Sequence, residues 1–206
     1  VKSASRCKHS HPHSERGLLD ILRWQLGLGP AEANYIPAEE LPPFQPQSCP
    51  AGDLTRPDLE KVQLTWIGHS TFLIQHRGRN ILTDPIFGNC QPIPSSRLRR
   101  LAPSGVALAS LPKIHDVLIS HCHYDHLDAP TIKALGAIPN YWLPEGLSPW
   151  FLRRGIDRCR EMSWWQSAPL SDELEIHSVP AQHFAARTPS DRNQTHWCGW
   201  VLRSPV

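Results

Sequence analysis

The chain has 206 residues, and its 21 lysines and arginines nearly balance 19 aspartates and glutamates, so bulk charge makes no case for a nucleic-acid partner. No apolar run approaches the roughly 18–20 residues that a membrane span requires. Six cysteines (Cys7, Cys49, Cys90, Cys122, Cys159 and Cys198) occur without a C-x-x-C pair, which argues against a disulfide framework and for a reducing, cytoplasmic setting.

In chain order, VKSASRCKHSHPHSE is polar and aperiodic and reads as a tail. GLLDILRWQLG sets Leu18, Leu19, Ile21, Leu22 and Leu26 on a helical stripe closed by Gly27. That stripe suits packing on the domain or, as a second reading, peripheral contact with a membrane. Seven prolines from Pro30 to Pro57 indicate an extended strap. Residues 1–58 are thus read as tail, short helix and Pro-rich strap, ahead of a domain over 59–206.

The domain opens with strand-like texture. KVQLTW alternates Val62, Leu64 and Trp66, TFLIQ follows GHS, and the turn HRGRN leads into ILTDP, which together predict three antiparallel strands. Arg97, Arg99 and Arg100 fall in a Pro- and Arg-rich loop that reads as solvated. DVLIS (116–120) is an uninterrupted apolar run, as in a strand covered on both faces. Two helices are predicted after it. Asp128 caps DAPTIKALG, with Pro130 in the first turn and Gly136 at the end, and Ser148 caps SPWFLRRG, ended by Gly155. AIPNYWLP, ELEIHSVP and HWCGWVL read as further strands. Trp150, Trp164 and Trp165 are read as core. Hairpins followed by alternating strands and helices predict an α/β (α+β) fold with helices on a mixed sheet.

The chemistry concentrates in SHCHYDHLD (120–128), directly after the buried run. His121 and His123, two apart, can turn their rings the same way, while Asp125 and His126 face a neighbouring position. Imidazole and carboxylate are the donors that catalytic zinc accepts. One ion cannot take four side chains packed so closely in sequence, whereas two ions about 3.5–4 Å apart can share them.

H-x-H-x-D-H after a strand resembles the hallmark of the metallo-β-lactamase superfamily. WIGHSTFLI (66–74), ILTDPIFG (81–88), VLISHCHYDHLD (117–128), Trp164–Trp165, PAQHFAAR (180–187) and WCGWVL (197–202) extend the resemblance toward hydrolases of the N-acylphosphatidylethanolamine phospholipase D type. The resemblance implies an αββα sandwich. It implies that His121, His123 and His183 bind a first zinc ion, and that Asp125, also the catalytic carboxylate, and His126 bind a second. A hydroxide bridging the ions is the implied nucleophile, and a lipid phosphodiester the implied substrate. Asp84 is implied to orient a ligand histidine. His69, in G-H-S, is placed beside the metals or in the core. Cys122, His196, His76, His115 and His177 are not expected to bind metal.

The resemblance also implies a later G-D-T strand whose Asp bridges both ions, and a late His. After His183 the chain offers only Asp191 and His196, neither in that context. The expectation is therefore the N-terminal half of the sandwich plus the start of the second, with the second zinc site incomplete. A lactonase or other hydrolase of the same fold is the alternative function. A non-catalytic metal-binding remnant is the alternative from outside enzymes.

Overall fold

The computed structural model describes Cys7, Lys8, Leu19, Arg23, Leu28, residues 54–89, Arg100 and residues 102–205. The expected tail, helical stripe and strap lie almost wholly outside the described residues, as do Arg97 and Arg99. Chain contacts divide into one unit of residues 1–7 with 46–206 and another of 8–45, and the architecture below belongs to the first.

Three strands open it: β1 (Gln63–Gly68), β2 (Thr71–His76) and β3 (Arg79–Thr83). They pair antiparallel as predicted, with Trp66 opposite Phe72 and Ile74 opposite Ile81. The alternation in KVQLTW is that of a strand, but its apolar side is not inward: Leu64 is 63% and Trp66 50% exposed, whereas the following Ile67 is buried. A parallel series continues the sheet through β4 (Asp116–Leu118), β5 (Asn140–Pro144) and β6 (Cys159–Met162). The six strands lie in sequence order. A second sheet orders β7 (Ser167–Ser171), β8 (Leu174–Val179) and β9 (Gly199–Arg203), all antiparallel.

Both faces of the large sheet are covered at its central strands, which is why these read as continuous apolar runs. Side chains alternate across it. Leu73, Leu82, Val117, Tyr141 and Leu143 join a core with Ile132 and Phe151 of the helices. Ile81, Leu118, Trp142 and Met162 point the other way and pack on Ala168, Leu170, Leu174 and Ile176 of the second sheet. Helices, large sheet and small sheet therefore form three successive layers.

Helix α1 (Ala129–Leu135) matches its prediction. The Asp128 carboxylate accepts the Thr131 N–H at 3.1 Å, and Gly136 leaves the helix at φ 65°. Helix α2 (Ser148–Leu152) corrects its prediction: Ser148 is its first residue, Leu147 occupies the cap, and no side chain of the cap bonds the helix. The Ser148 N–H donates instead to Glu161 on β6, so a tertiary acceptor replaces the local one. β6 and β7 had no strand prediction. Pro169 argues against a strand in β7, and it is tolerated because β7 is a sheet edge.

Of the three tryptophans expected in the core, Trp150 and Trp164 pack against it and Trp165 does not. Trp165 is 77% exposed; Trp164 is half-buried and donates its indole N–H to the Trp197 carbonyl. Arg100 is not solvated. Its guanidinium donates to the Ile86 carbonyl at 3.0 Å and to Ala102 at 3.3 Å. No helix among the described residues is long and apolar enough to cross a membrane.

Candidate metal centre

Strand direction gathers the polar residues. β1 and β3 run the same way because each is antiparallel to β2, and β4 is parallel to β3, so all three end on one edge of the sheet. His69 follows β1, Asp84 follows β3, and His121 follows β4 after Ile119 and Ser120. This is the carboxyl edge, where open α/β sheets build their sites. His183 arrives from the loop after β8.

His121 Nε2 lies 2.8 Å from His123 Nδ1, and His183 Nε2 lies 3.0 Å from the former and 3.2 Å from the latter. Three imidazole nitrogens thus form a nearly equilateral triangle. Tetrahedral zinc with Zn–N of about 2.0–2.1 Å separates its ligand nitrogens by about 3.3 Å, so a modest opening of the triangle admits the ion. The donor set fits.

Hydrogen bonding sets the tautomers. Ser120 donates its N–H to Asp84 Oδ1 at 2.7 Å and its Oγ–H to Asp84 Oδ2 at 2.6 Å. Its hydroxyl is then left to accept the Nδ1–H of His121 at 2.8 Å, which turns the lone pair of His121 Nε2 into the triangle. His126 donates Nδ1–H to the same Asp84 oxygen at 2.8 Å and keeps Nε2 on the other side. Asp84 holds φ 35° to reach both partners, an uncommon conformation for a residue with a side chain. Such carboxylate–histidine pairs orient metal ligands.

Burial pushes His121 far below the ordinary histidine value, helped by the imidazoles of His126, His123, His183 and His69 around it. Burial, then His183, brings His123 down to about 4. Both rings are accordingly neutral at pH 7, the form that binds metal. Burial also lowers His126, but its hydrogen bond to Asp84, the charge of Asp84 and that of Asp125 outweigh burial, so its net shift is upward.

Asp125 and His69 stand at the outer side, both partly exposed, with His69 Nε2 3.1 Å from Asp125 Oδ2 and His126 Nε2 3.6 Å from the same oxygen. Every residue expected at the site, namely His69, Asp84, His121, His123, Asp125, His126 and His183, is therefore brought to one edge.

The residues expected to stay apart do so. Cys122 is buried in the core, and burial raises its thiol. His196 rings face Trp164 and Trp197. Asp191 accepts the N–H groups of Arg187 and Thr188, organising a turn.

Two supporting residues had no assigned role, Ser120 and Arg187. Arg187 donates to the carbonyls of Cys122 (2.7 Å) and Leu127 (2.8 Å) and lies 4.0 Å over the Tyr124 ring, clasping both ends of the metal loop. PAQHFAAR contains Arg187, but nothing local reveals a partner some 60 residues away.

Residues 79–206, more than half of the chain, match the family model described as "Beta-lactamase superfamily domain". The chain belongs to this superfamily. An uncharacterised protein of Mycobacterium tuberculosis is 38% identical over 168 residues, covering 79% of this chain and 45% of that protein. N-acyl-phosphatidylethanolamine-hydrolyzing phospholipase D 1 of Caenorhabditis elegans is 31% identical over 150 residues, covering 67% and 42%. The chain thus spans less than half the length of these curated relatives. Among solved structures, isothiocyanate hydrolase from Delia radicum gut bacteria superposes with a TM-score of 0.56 at 22% identity, covering 68% of this chain and 57% of that one. The diiron β-hydroxylase CmlA of Streptomyces venezuelae gives 0.52 at 21%, covering 73% and 29%. These likenesses establish the metallo-β-lactamase fold.

Proposed function

We propose that the chain carries the metal-binding part of a zinc-dependent hydrolase acting on phosphodiesters, of the kind that cleaves N-acylphosphatidylethanolamine. One observation carries the metal assignment: His121, His123 and His183 present ring nitrogens within 3.2 Å of one another, a spacing suited to three ligands of one cation. His121, His123 and His183 would hold the ion, and Asp125 and His126 would contribute beside it. Borderline imidazole and hard carboxylate donors suit zinc, and such a set without cysteine is of the kind that catalytic zinc sites use.

A divalent ion held there supplies Lewis-acid charge for a developing oxyanion and a water acidic enough to attack at neutral pH. The chain's own groups do the rest. Asp84 and Ser120 fix which ring nitrogens face the centre. Asp125, with its carboxylate partly open to solvent, is the acceptor for a proton leaving the attacking water.

The phosphodiester preference draws on the relatives from Caenorhabditis elegans and Saccharomyces cerevisiae, both called N-acyl-phosphatidylethanolamine-hydrolyzing phospholipase D and 31% and 30% identical. A lipid substrate would bring the protein to a membrane surface from the cytoplasm. Parallel hydrolysis of a chromogenic phosphodiester and a lactone, with and without chelator, tests the reading. Chelator-sensitive phosphodiester turnover supports it. Preferential lactone turnover would shift the assignment to a lactonase, and zinc uptake without turnover of either would favour a binding remnant.

A further inference from the structure

Beside the three-histidine triangle, a second group of metal-ligating atoms converges at the same sheet edge. One donor atom each from His69, Asp125 and His126 lies within 4.8 Å of the others. We propose that His69 is a direct metal ligand, adding a second imidazole to the site that Asp125 and His126 offer a second first-row divalent ion. The proposal rests on the metal-centre reading of the first site and assigns a donor that the H-x-H-x-D-H motif does not contain.

The donor atoms are oriented for this. His126 spends Nδ1–H on Asp84, which leaves Nε2 as the atom facing outward, 3.6 Å from Asp125 Oδ2. His69 presents Nε2 to the same oxygen at 3.1 Å. The rings of His69 and His126 meet edge to face, 5.1 Å between centroids. His126 in turn lies 4.1 Å from the ring of His121, so the second group directly adjoins the first. Two nitrogens and one oxygen leave further coordination positions for water or substrate, as an open site requires.

The backbone holds His69 in place rather than leaving it to a free turn. Gly68 and His69 both have positive φ, 138° and 52°. Trp66 Nε1–H donates to the His69 carbonyl at 2.9 Å. A Cβ at Gly68 would collide with the Arg100 guanidinium, and the positive φ of this residue favours glycine as well. Partial exposure of His69 and Asp125, 43% and 39%, keeps the group within reach of an incoming ion.

The test uses the 206-residue chain stripped with chelator, then loaded with zinc for metal analysis or with cobalt(II) for its visible spectrum. The wild type is expected to retain about two ions per chain. His69→Asn, which suits a positive φ while removing the imidazole, is expected to retain about one. His69→Cys is expected to regain the second ion and to add a thiolate-to-cobalt charge-transfer band, which a merely structural role for residue 69 would not produce. Two ions in His69→Asn with an unchanged cobalt spectrum, or no thiolate band in His69→Cys, would overturn the proposal. A wild type that holds a single ion, lost in His123→Ala and indifferent to His69→Asn, also overturns it and leaves the first centre standing. A wild type that takes up no ion overturns both.

Discussion

The Asp84 carboxylate accepts a hydrogen bond from His126 Nδ1 at 2.8 Å and reaches His121 through the Ser120 hydroxyl, so one buried residue sets the tautomer of two histidines. Asp84→Asn keeps the shape and tolerates the positive φ but replaces an acceptor with a partial donor. Zinc affinity, measured by competition with a chromophoric chelator, is expected to fall about 10–100-fold. Unchanged affinity would remove Asp84 from the account.

Arg187 makes a separate contribution. Its guanidinium is partly buried, and it holds the Cys122 and Leu127 carbonyls at the two ends of the metal loop. Hydrogen bonds from a charged donor contribute about 1.5–3 kcal/mol, so Arg187→Met is expected to lower stability by about 2–3 kcal/mol in urea unfolding. Lysine at this position is expected to recover little, because it lacks the planar fork and its stacking on Tyr124.

Away from the site, Asp116 is wholly buried and accepts from Arg79, from Asn140 at 3.2 Å and from the Trp142 indole at 3.0 Å. Asp116→Ala strands Arg79 and two further donors between β3, β4 and β5. Removing one partner of a buried ion pair costs about 3–5 kcal/mol, and a loss of that order in denaturant unfolding is expected.

The metal-free protein should be acid-sensitive. His121 and His123 have folded-state values depressed by burial, His123 to about 4, against an unfolded value near 6.5. A depressed group contributes stability that is fully present above the unfolded value and is lost as pH falls toward the folded one. His126, shifted upward, acts in the opposite sense: its contribution is present below the unfolded value and fades as pH rises through the folded one. With two groups against one, the urea midpoint of the metal-free chain is expected to drop between about pH 6.5 and 4. His123→Asn is expected to flatten that slope; an equally steep slope in the variant would contradict the assignment.

Much of this arrangement is legible in the sequence because its signals are local. The H-x-H-x-D-H run follows the buried strand β4, and Asp128 with Gly136 brackets α1. The remainder depends on partners distant in sequence. Ser148 reads as a cap until Glu161 supplies the acceptor, and Arg100 reads as solvated until the Ile86 carbonyl receives it. β7 escapes notice because Pro169 is permitted only by its position at an edge. Leu64 and Trp66 alternate like an inward face, yet stand outward, a fact to which strand periodicity is blind. His69 and Asp125 lie 56 positions apart, and only the pairing of β1, β2, β3 and β4 makes them neighbours.

The central claim is that His121, His123 and His183 hold a divalent ion, and the most direct measurement is zinc X-ray absorption on the chain loaded with one equivalent of zinc. The account predicts nitrogen or oxygen neighbours at about 2.0–2.1 Å with the outer-shell scattering of three imidazoles, reduced to two in His183→Asn. A sulfur neighbour at about 2.3 Å, or a shell without imidazole scattering, would contradict it.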